Sequence, residues 1–217
     1  MIKDTIDIHT HKADSRKEAI RSVTPSEYTA LPSDFVPPLS IGIHPWHTDG
    51  GDWPKDLDTV RRAALTDRRI VAIGEIGLDA LRGAPEALQI EIFEKQLEIA
   101  RDSRLPVIIH CVKRYNEVLD ILQKRHFDLP VVFHGFRGKP QLADNILSRG
   151  CYISLGERFN DATARIIPSD RLLVETDTSP ADISQIIDSL APLRQESPAR
   201  LAEIVRQNIR RVFGKHT

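Results

Sequence analysis

The sequence predicts an α/β protein of the TIM (β/α)8 barrel type with its first two crossovers shortened, and three observations carry that prediction. Short apolar, β-branched runs recur eight times along 217 residues. Amphipathic segments of helical period alternate with them from residue 54 onward. Several runs, among them VAIG, PVIIH and PVVFH, are apolar almost throughout, as parallel strands covered on both faces are. An open doubly wound sheet would show the same alternation, but no GxGxxG follows a strand to support a dinucleotide fold.

In chain order, strands are expected at 6–9, 19–23, 39–43, 70–75, 106–110, 130–134, 151–155 and 171–175. Helical periodicity is clearest over 85–103, where Leu88, Ile92, Gln96 and Ala100 share a face. Further helices are expected over 54–66, 115–126, 140–149 and 198–213, with Gly150 as a stop after the fourth of the five. Between His11 and Ala19 there is too little chain for a crossover helix, and 24–38 is rich in Pro, Ser and Thr rather than periodic. Both crossovers read as loops.

No repeat or interdomain linker interrupts the chain, so one domain spanning 1–217 is expected. A hydrophobic share of 41% with 28% charged residues excludes disordered and fibrous classes. The net charge of -1 excludes a globally basic, nucleic-acid-coating protein and leaves a local basic face open. No apolar run has the length of a membrane span, and the first residues read as a strand entry, so a cytoplasmic protein is expected. Cys111 and Cys151, the only cysteines, read as small buried thiols rather than a disulfide. Nothing in the sequence points to an obligate protein partner.

Of the eight histidines, His9, His11, His44, His110 and His134 fall at or just beyond strand ends, and His47 lies in the loop after His44. In a (β/α)8 barrel those ends converge on one face, where active sites are built. His9 and His11 are two apart on a strand, so both imidazoles can turn to one ion. Glu75 ends a wholly apolar run, where a carboxylate is costly unless something positive receives it. His110 and His134 close two more apolar runs, and neutral imidazole is the commonest transition-metal ligand. Glu175 and Asp177 follow the last strand on the same side, and spacing alone does not choose between them.

Basic residues also follow strand ends: Lys113, Arg114, Arg137, Lys139 and Arg158. At most two of them are expected to contact phosphate, Arg137 first, because surface cations are mostly solvated. Trp46, between His44 and His47, is placed either to stack on a base or to pack against the barrel. Cys111 adjoins His110, but neighbouring strand side chains point to opposite faces, away from any shared ion.

The segments DIHTH, GIHPWH, GEIGLD, QIEIFEKQLEIARDSRLPVIIH, FHGFRG and ETD, in that order from Asp7 to Asp177, resemble the TatD family of metal-dependent deoxyribonucleases, within the wider amidohydrolase-like barrels. That resemblance implies a centre of two divalent ions (Zn, Mn or Mg) held by His9, His11, Glu75, His110, His134 and Asp177, with Glu75 bridging. It selects Asp177 over Glu175, makes His44 a candidate phosphate contact and matches Asn208 to the family's C-terminal Asn. It implies exonuclease-type hydrolysis of DNA or another phosphodiester by a metal-activated water. Asp177 is then the expected general base, and Arg137, Lys113 and Trp46, by their places beyond strand ends, are the expected substrate contacts. The chain departs from the family after His110, where Cys111-Val112-Lys113-Arg114 replaces an Arg-Asp pair, and after Asp177, where Thr-Ser-Pro-Ala-Asp replaces Pro-aromatic-Leu. Two other readings share the ligand pattern: a hydrolase of small amides or esters, and a non-catalytic metal-binding barrel.

Overall fold

The structure, a computed structural model, describes residues 5–12, 18–32 and 34–214. Its strands form one sheet in chain order: β1 (Asp7–Thr10), β2 (Ala19–Val23), β3 (Leu39–Ile41), β4 (Ile70–Asp79), β5 (Val107–Val112), β6 (Val131–Phe133), β7 (Tyr152–Leu155) and β8 (Leu172–Val174). The pairs β1–β2, β3–β4, β4–β5, β6–β7 and β7–β8 are parallel. A further parallel bridge joins Thr10 to Asp177, so the chain beyond β8 returns to β1. Eight sequential strands, parallel in these pairs and alternating with helices, make the (β/α)8 barrel fold.

The chain groups into two compact units, 22–131 and 1–21 with 132–217. The first contains α1 (Pro25–Ala30), a 3-10 turn (Pro45–His47), α2 (Trp53–Thr66), α3 (Glu86–Ser103) and α4 (Tyr115–Lys124). The second contains α5 (Pro140–Ser148), α6 (Asp161–Ile166), α7 (Ile183–Leu193) and α8 (Pro198–Phe213). In the first, Ile92, Phe93, Leu97 and Ala100 of α3 are buried, as are Ile73, Ile76 and Leu78 of β4. In the second, Leu190 and Ala191 of α7, Leu201, Val205, Ile209 and Phe213 of α8, and Leu172, Leu173 and Val174 of β8 are buried. Each large aliphatic or aromatic side chain removed from water in this way contributes about 1.5–3 kcal/mol.

Several expectations need correction. The second crossover is not a bare loop: Thr24 accepts the Glu27 amide while Glu27 accepts the Thr24 amide, and this reciprocal cap starts the six-residue α1. Residues 13–17 of the first crossover lie outside the described residues. α6 and α7 have no counterpart among the expected helices, although Asn160 caps Thr163 and Asp182 pairs with Gln185 in a capping box. Pro85 is the N-cap of α3 rather than its first residue.

The strand ends matter more for the site. β4 runs four residues past Glu75, because after a register shift between Ile73 and Ile76 it continues to pair with β5, Gly77 opposite His110 and Asp79 opposite Val112. Glu75 and His110 therefore lie inside paired strands, while β6 and β8 stop just before His134 and Glu175. At Gly77 the backbone has φ 139° and a Cβ would collide with the His110 carbonyl oxygen, so only glycine allows this approach.

Candidate metal centre

Two groups of donor side chains form, one in each unit. In the first, β1 buries His9 completely and leaves His11 exposed, with their rings 5.0 Å apart and edge-on. Asp177 Oδ1 lies 3.8 Å from His9 Nε2 and 3.7 Å from His11 Nε2. The Asp177 main chain fixes that distance: its amide donates to the His9 carbonyl (2.9 Å) and its carbonyl accepts from the His11 amide (3.1 Å). Asp177 sits at φ 52°, a left-handed conformation that Asp and Asn adopt more readily than other side chains do. His9, His11 and Asp177 bring one donor atom each within 4.8 Å of one another.

Behind this group lie two buried carboxylates. Asp7 accepts from the His9 amide (3.2 Å), the Thr176 amide (3.1 Å) and the Thr176 hydroxyl (2.6 Å), tying β1 to the segment that carries Asp177. Burial pushes its carboxyl up to about 7, and the three donors only partly offset that. Glu175, fully buried, accepts from the Gly135 amide (2.7 Å) and faces His134 Nδ1 at 3.1 Å. Burial opposes its charge, but the adjoining His134 holds the carboxyl below the usual range. An Nδ1–H directed at Glu175 leaves Nε2 of His134 as the ring's lone pair. The His134 ring lies 4.3 Å from that of His9.

In the second group, Glu75 Oε1 faces His44 Nε2 at 3.0 Å and His110 Nδ1 at 2.8 Å. The other nitrogen of His110 faces Asp79 Oδ2 at 3.2 Å. A neutral imidazole carries one N–H, so it can donate to only one of two carboxylates, and a cation fits the other contact. Asp79 also accepts from the Trp46 indole (2.6 Å) and the Leu81 amide (2.7 Å). Burial works against its charge, yet Trp46, Leu81 and His110 together hold it below the usual carboxylate range. His44 Nδ1 accepts from the Trp46 amide at 3.1 Å, which leaves Nε2–H as the donor toward Glu75.

Two buried glutamines of α3, seven residues apart on one face, position this group. Gln96 accepts from the Ile43 amide (2.6 Å) and donates to the Ile43 carbonyl (3.1 Å), beside His44. Gln89 accepts from the Asp79 amide (2.9 Å) and contacts the carbonyls of Asp79, Arg82 and Ala84. Asp79, Gln89 and Gln96 have no counterpart among the expected site residues, and Glu175, one of the two choices that spacing leaves open after the last strand, faces His134 Nδ1. Polar residues embedded in GEIGLD, ETD and the apolar face of α3 were the signal available.

Among the expected substrate contacts, Trp46 is 41% exposed, but its ring is covered on one side by the Arg82 guanidinium at 4.4 Å. Arg114 is held by Glu86 (3.1 Å) and Glu117 (3.4 Å), which makes it a structural cation. Lys113 and Lys139 are exposed beyond β5 and before α5. Arg137 and Arg158 line one cavity together with Asp177. Cys111 and Cys151 are free and buried, with both thiols pushed up to about 12 by burial, as expected of inert core thiols. Asn208 is buried in α8, where its amide donates to the carbonyls of Ser169 (2.7 Å) and Leu172 (2.8 Å) and anchors the start of β8. No helix among the described residues is long and apolar enough to cross a membrane.

The profile of the TatD related DNase family matches residues 33–214. The chain belongs to this family. The 3'-5' ssDNA/RNA exonuclease TatD of Citrobacter rodentium is 32% identical over 203 residues, covering 81% of this chain and 76% of that protein. The uncharacterized metal-dependent hydrolase YcfH of Escherichia coli is 32% identical over 199 residues, covering 81% and 73%. Among solved structures, the TatD homologue YjjV of Escherichia coli superposes with a TM-score of 0.83 at 23% identity over 99% of both chains, so this TatD-family chain shares its fold.

Proposed function

We propose that this chain is a metal-dependent phosphodiesterase, an exonuclease on single-stranded nucleic acid and DNA foremost, working as a single barrel domain with two divalent cations. His9, His11 and Asp177 would hold one ion and His110 and His134 the other, with Glu75 bridging. One observation carries the reading. Asp177 faces both imidazoles of the HxH pair at 3.7 and 3.8 Å, too long for hydrogen bonds and suited to ligands on either side of an ion ~2 Å from each. Imidazole nitrogens mixed with carboxylate oxygens suit Zn or Mn, and the carboxylates suit Mg. When bound, such ions lower the pKa of an attacking water and neutralise charge on the phosphoryl oxygens.

The remaining chemistry falls to the chain itself. Asp177 takes the proton of the attacking water, and its doubly bonded backbone keeps the carboxylate in place. Glu175 orients His134 through Nδ1, as Asp79 orients His110. Arg137 and Lys113 contact phosphates flanking the scissile one, and His44, whose Nε2–H is directed at Glu75, would turn that donor to a phosphoryl oxygen when Glu75 holds the cations. The exposed edge of Trp46 borders the base.

Asp177→Asn tests the base assignment cleanly, because Asn tolerates the same positive φ. Turnover of a labelled oligonucleotide should fall by about 10²–10⁴-fold, the share of a general base, with the circular dichroism unchanged. Near-wild-type turnover would remove Asp177 from that role. Metal analysis after reconstitution should find about two equivalents, and less than about one would overturn the centre. A panel of neutral esters and amides, assayed with Mg, Mn and Zn, completes the test: turnover there with none on any oligonucleotide overturns the nuclease reading.

A further inference from the structure

The cavity that ends on Asp177 carries charge that the ligand set does not use. It holds about 250 Å³ and is lined from three consecutive strand ends, by Arg137 after β6, Arg158 after β7, and Thr176 to Pro180 after β8. Some arginines elsewhere are matched to carboxylates, as Arg69 is to Asp67 (2.7 Å), Arg125 to Glu94 (2.7 Å) and Arg210 to Glu203 (2.8 Å), and Arg194 is held by the carbonyls of Ala164 (2.6 Å) and Ile167 (2.8 Å). Among the described residues, no carboxylate lies within ion-pair distance of Arg137 or Arg158. Glu157, the neighbour of Arg158 in sequence, also lines the cavity and accepts from the Ser179 hydroxyl at 2.6 Å.

The backbone gives both arginines defined places. Gly135 turns the chain at φ 56° after β6. The Phe136 amide then bonds the Ser154 carbonyl of β7 (3.1 Å) and its ring is buried, which sends Arg137 outward as the next residue. Gly138 must be small there, because a Cβ would meet the Phe136 ring at 2.5 Å. Arg158 follows the paired strand after the short Gly156-Glu157 step. Two guanidiniums with no ion-pair partner among the described residues thus stand on adjacent strand ends, in a cavity whose acids, Glu157, Glu175 and Asp177, repel an anion unless it is held from the arginine side.

We propose that Arg137 and Arg158 form a subsite for a phosphate next to the scissile one, so that the enzyme selects strands carrying at least two phosphates. The inference rests on the phosphodiesterase reading and deepens it. Guanidinium forks bind phosphate oxygens in pairs, and two of them on one wall clamp a single phosphate while the scissile group occupies the Asp177 side.

The test compares wild type with Arg137→Gln/Arg158→Gln in two assays. In metal-free protein, fluorescence anisotropy of a labelled oligothymidylate should show affinity reduced about tenfold or more, and a salt slope smaller by about 0.7, one single-strand phosphate contact. Binding within about twofold at unchanged slope would overturn the subsite. In metal-loaded protein, KM for the oligonucleotide should rise about tenfold with kcat nearly kept, while kcat/KM for bis(p-nitrophenyl) phosphate, which has only a scissile phosphate, stays within about threefold. Equal losses on both substrates would overturn the proposal, by assigning the arginines to the scissile group. If loaded wild type cleaves neither substrate yet the anisotropy difference holds, the reaction reading falls and the phosphate subsite stands.

Discussion

Replacing Gln96 with leucine removes both hydrogen bonds that clamp the peptide of Ile43 to α3. Leucine nearly fills the same volume, so the cavity contribution is small and the effect isolates the polar contacts. Ile43 is 2% exposed and Gln96 1%, so water cannot replace either bond. Each buried backbone group left without a partner costs about 1–3 kcal/mol, and because the two groups share one peptide segment and relax together, we expect a total of ~3 kcal/mol rather than the full sum. Urea unfolding at fixed m-value measures the loss, and hydrogen exchange at the Ile43 amide should accelerate by about a hundredfold or more, the kinetic equivalent of ~3 kcal/mol. The next residue, His44, loses its fixed backbone, so oligonucleotide KM should rise while metal content stays near wild type. A stability loss below about 0.5 kcal/mol, typical of an unimportant surface change, would refute the clamp.

Four further outcomes follow from the same contacts. Asp177→Asn should lose phosphodiester turnover by about 10²–10⁴-fold without loss of fold, as read by oligonucleotide assay and circular dichroism. The double arginine variant should lose oligonucleotide affinity about tenfold and keep turnover of the single-phosphate ester. Glu175→Gln replaces the anion beside His134 with a neutral amide, and cation affinity measured by chelator competition should fall about 10–100-fold. Asp7 has a folded-state pKa of about 7 against an ordinary 3.8, so the folded protein binds its proton more tightly than the unfolded chain. Its contribution is therefore most favourable below pH ~4 and is lost as pH rises through ~7, by up to ~4 kcal/mol. In metal-free protein, Asp7→Asn should gain stability relative to wild type between pH 5 and pH 8, and a flat difference across that range would contradict the shift.

The barrel was legible because parallel strands buried on both faces leave a coarse, redundant mark: a run such as VVF is apolar whatever its exact ends. Those ends were not legible. β4 continues past Glu75 because pairing with β5 resumes after a register shift, and nothing in GEIGLD marks where a neighbouring strand supplies partners. Short helices escaped for another reason. α1 and α6 have six residues each, less than two turns, so caps at Thr24 and Asn160 announce them better than periodicity does. In the site, HxH and the histidines ending apolar runs stood out because a polar group there needs a partner. The supports did not: Gln96 sat in the apolar stripe of α3 as one of its members, and its bond to Ile43 depends on a contact 53 residues away in the chain. Arg114 and Arg137 look alike in sequence and differ only in whether a carboxylate is folded against them.

The bridge between Thr10 and Asp177 has a thermodynamic consequence for the whole fold. The main chain of Asp177 is bonded to His9 and His11, whose rings face its carboxylate, so one residue closes the sheet and aims the donors. The entropy of gathering these three donors is therefore settled at folding rather than at ion capture. A cation between them spans the first and last strands, and by mass action it would strengthen closure by ~2.7 kcal/mol at a free concentration a hundred times its dissociation constant. With such an ion bound, the pairing of Thr10 with Asp177 would depend on the supply of metal, and loss of the ion would loosen the fold at that bridge.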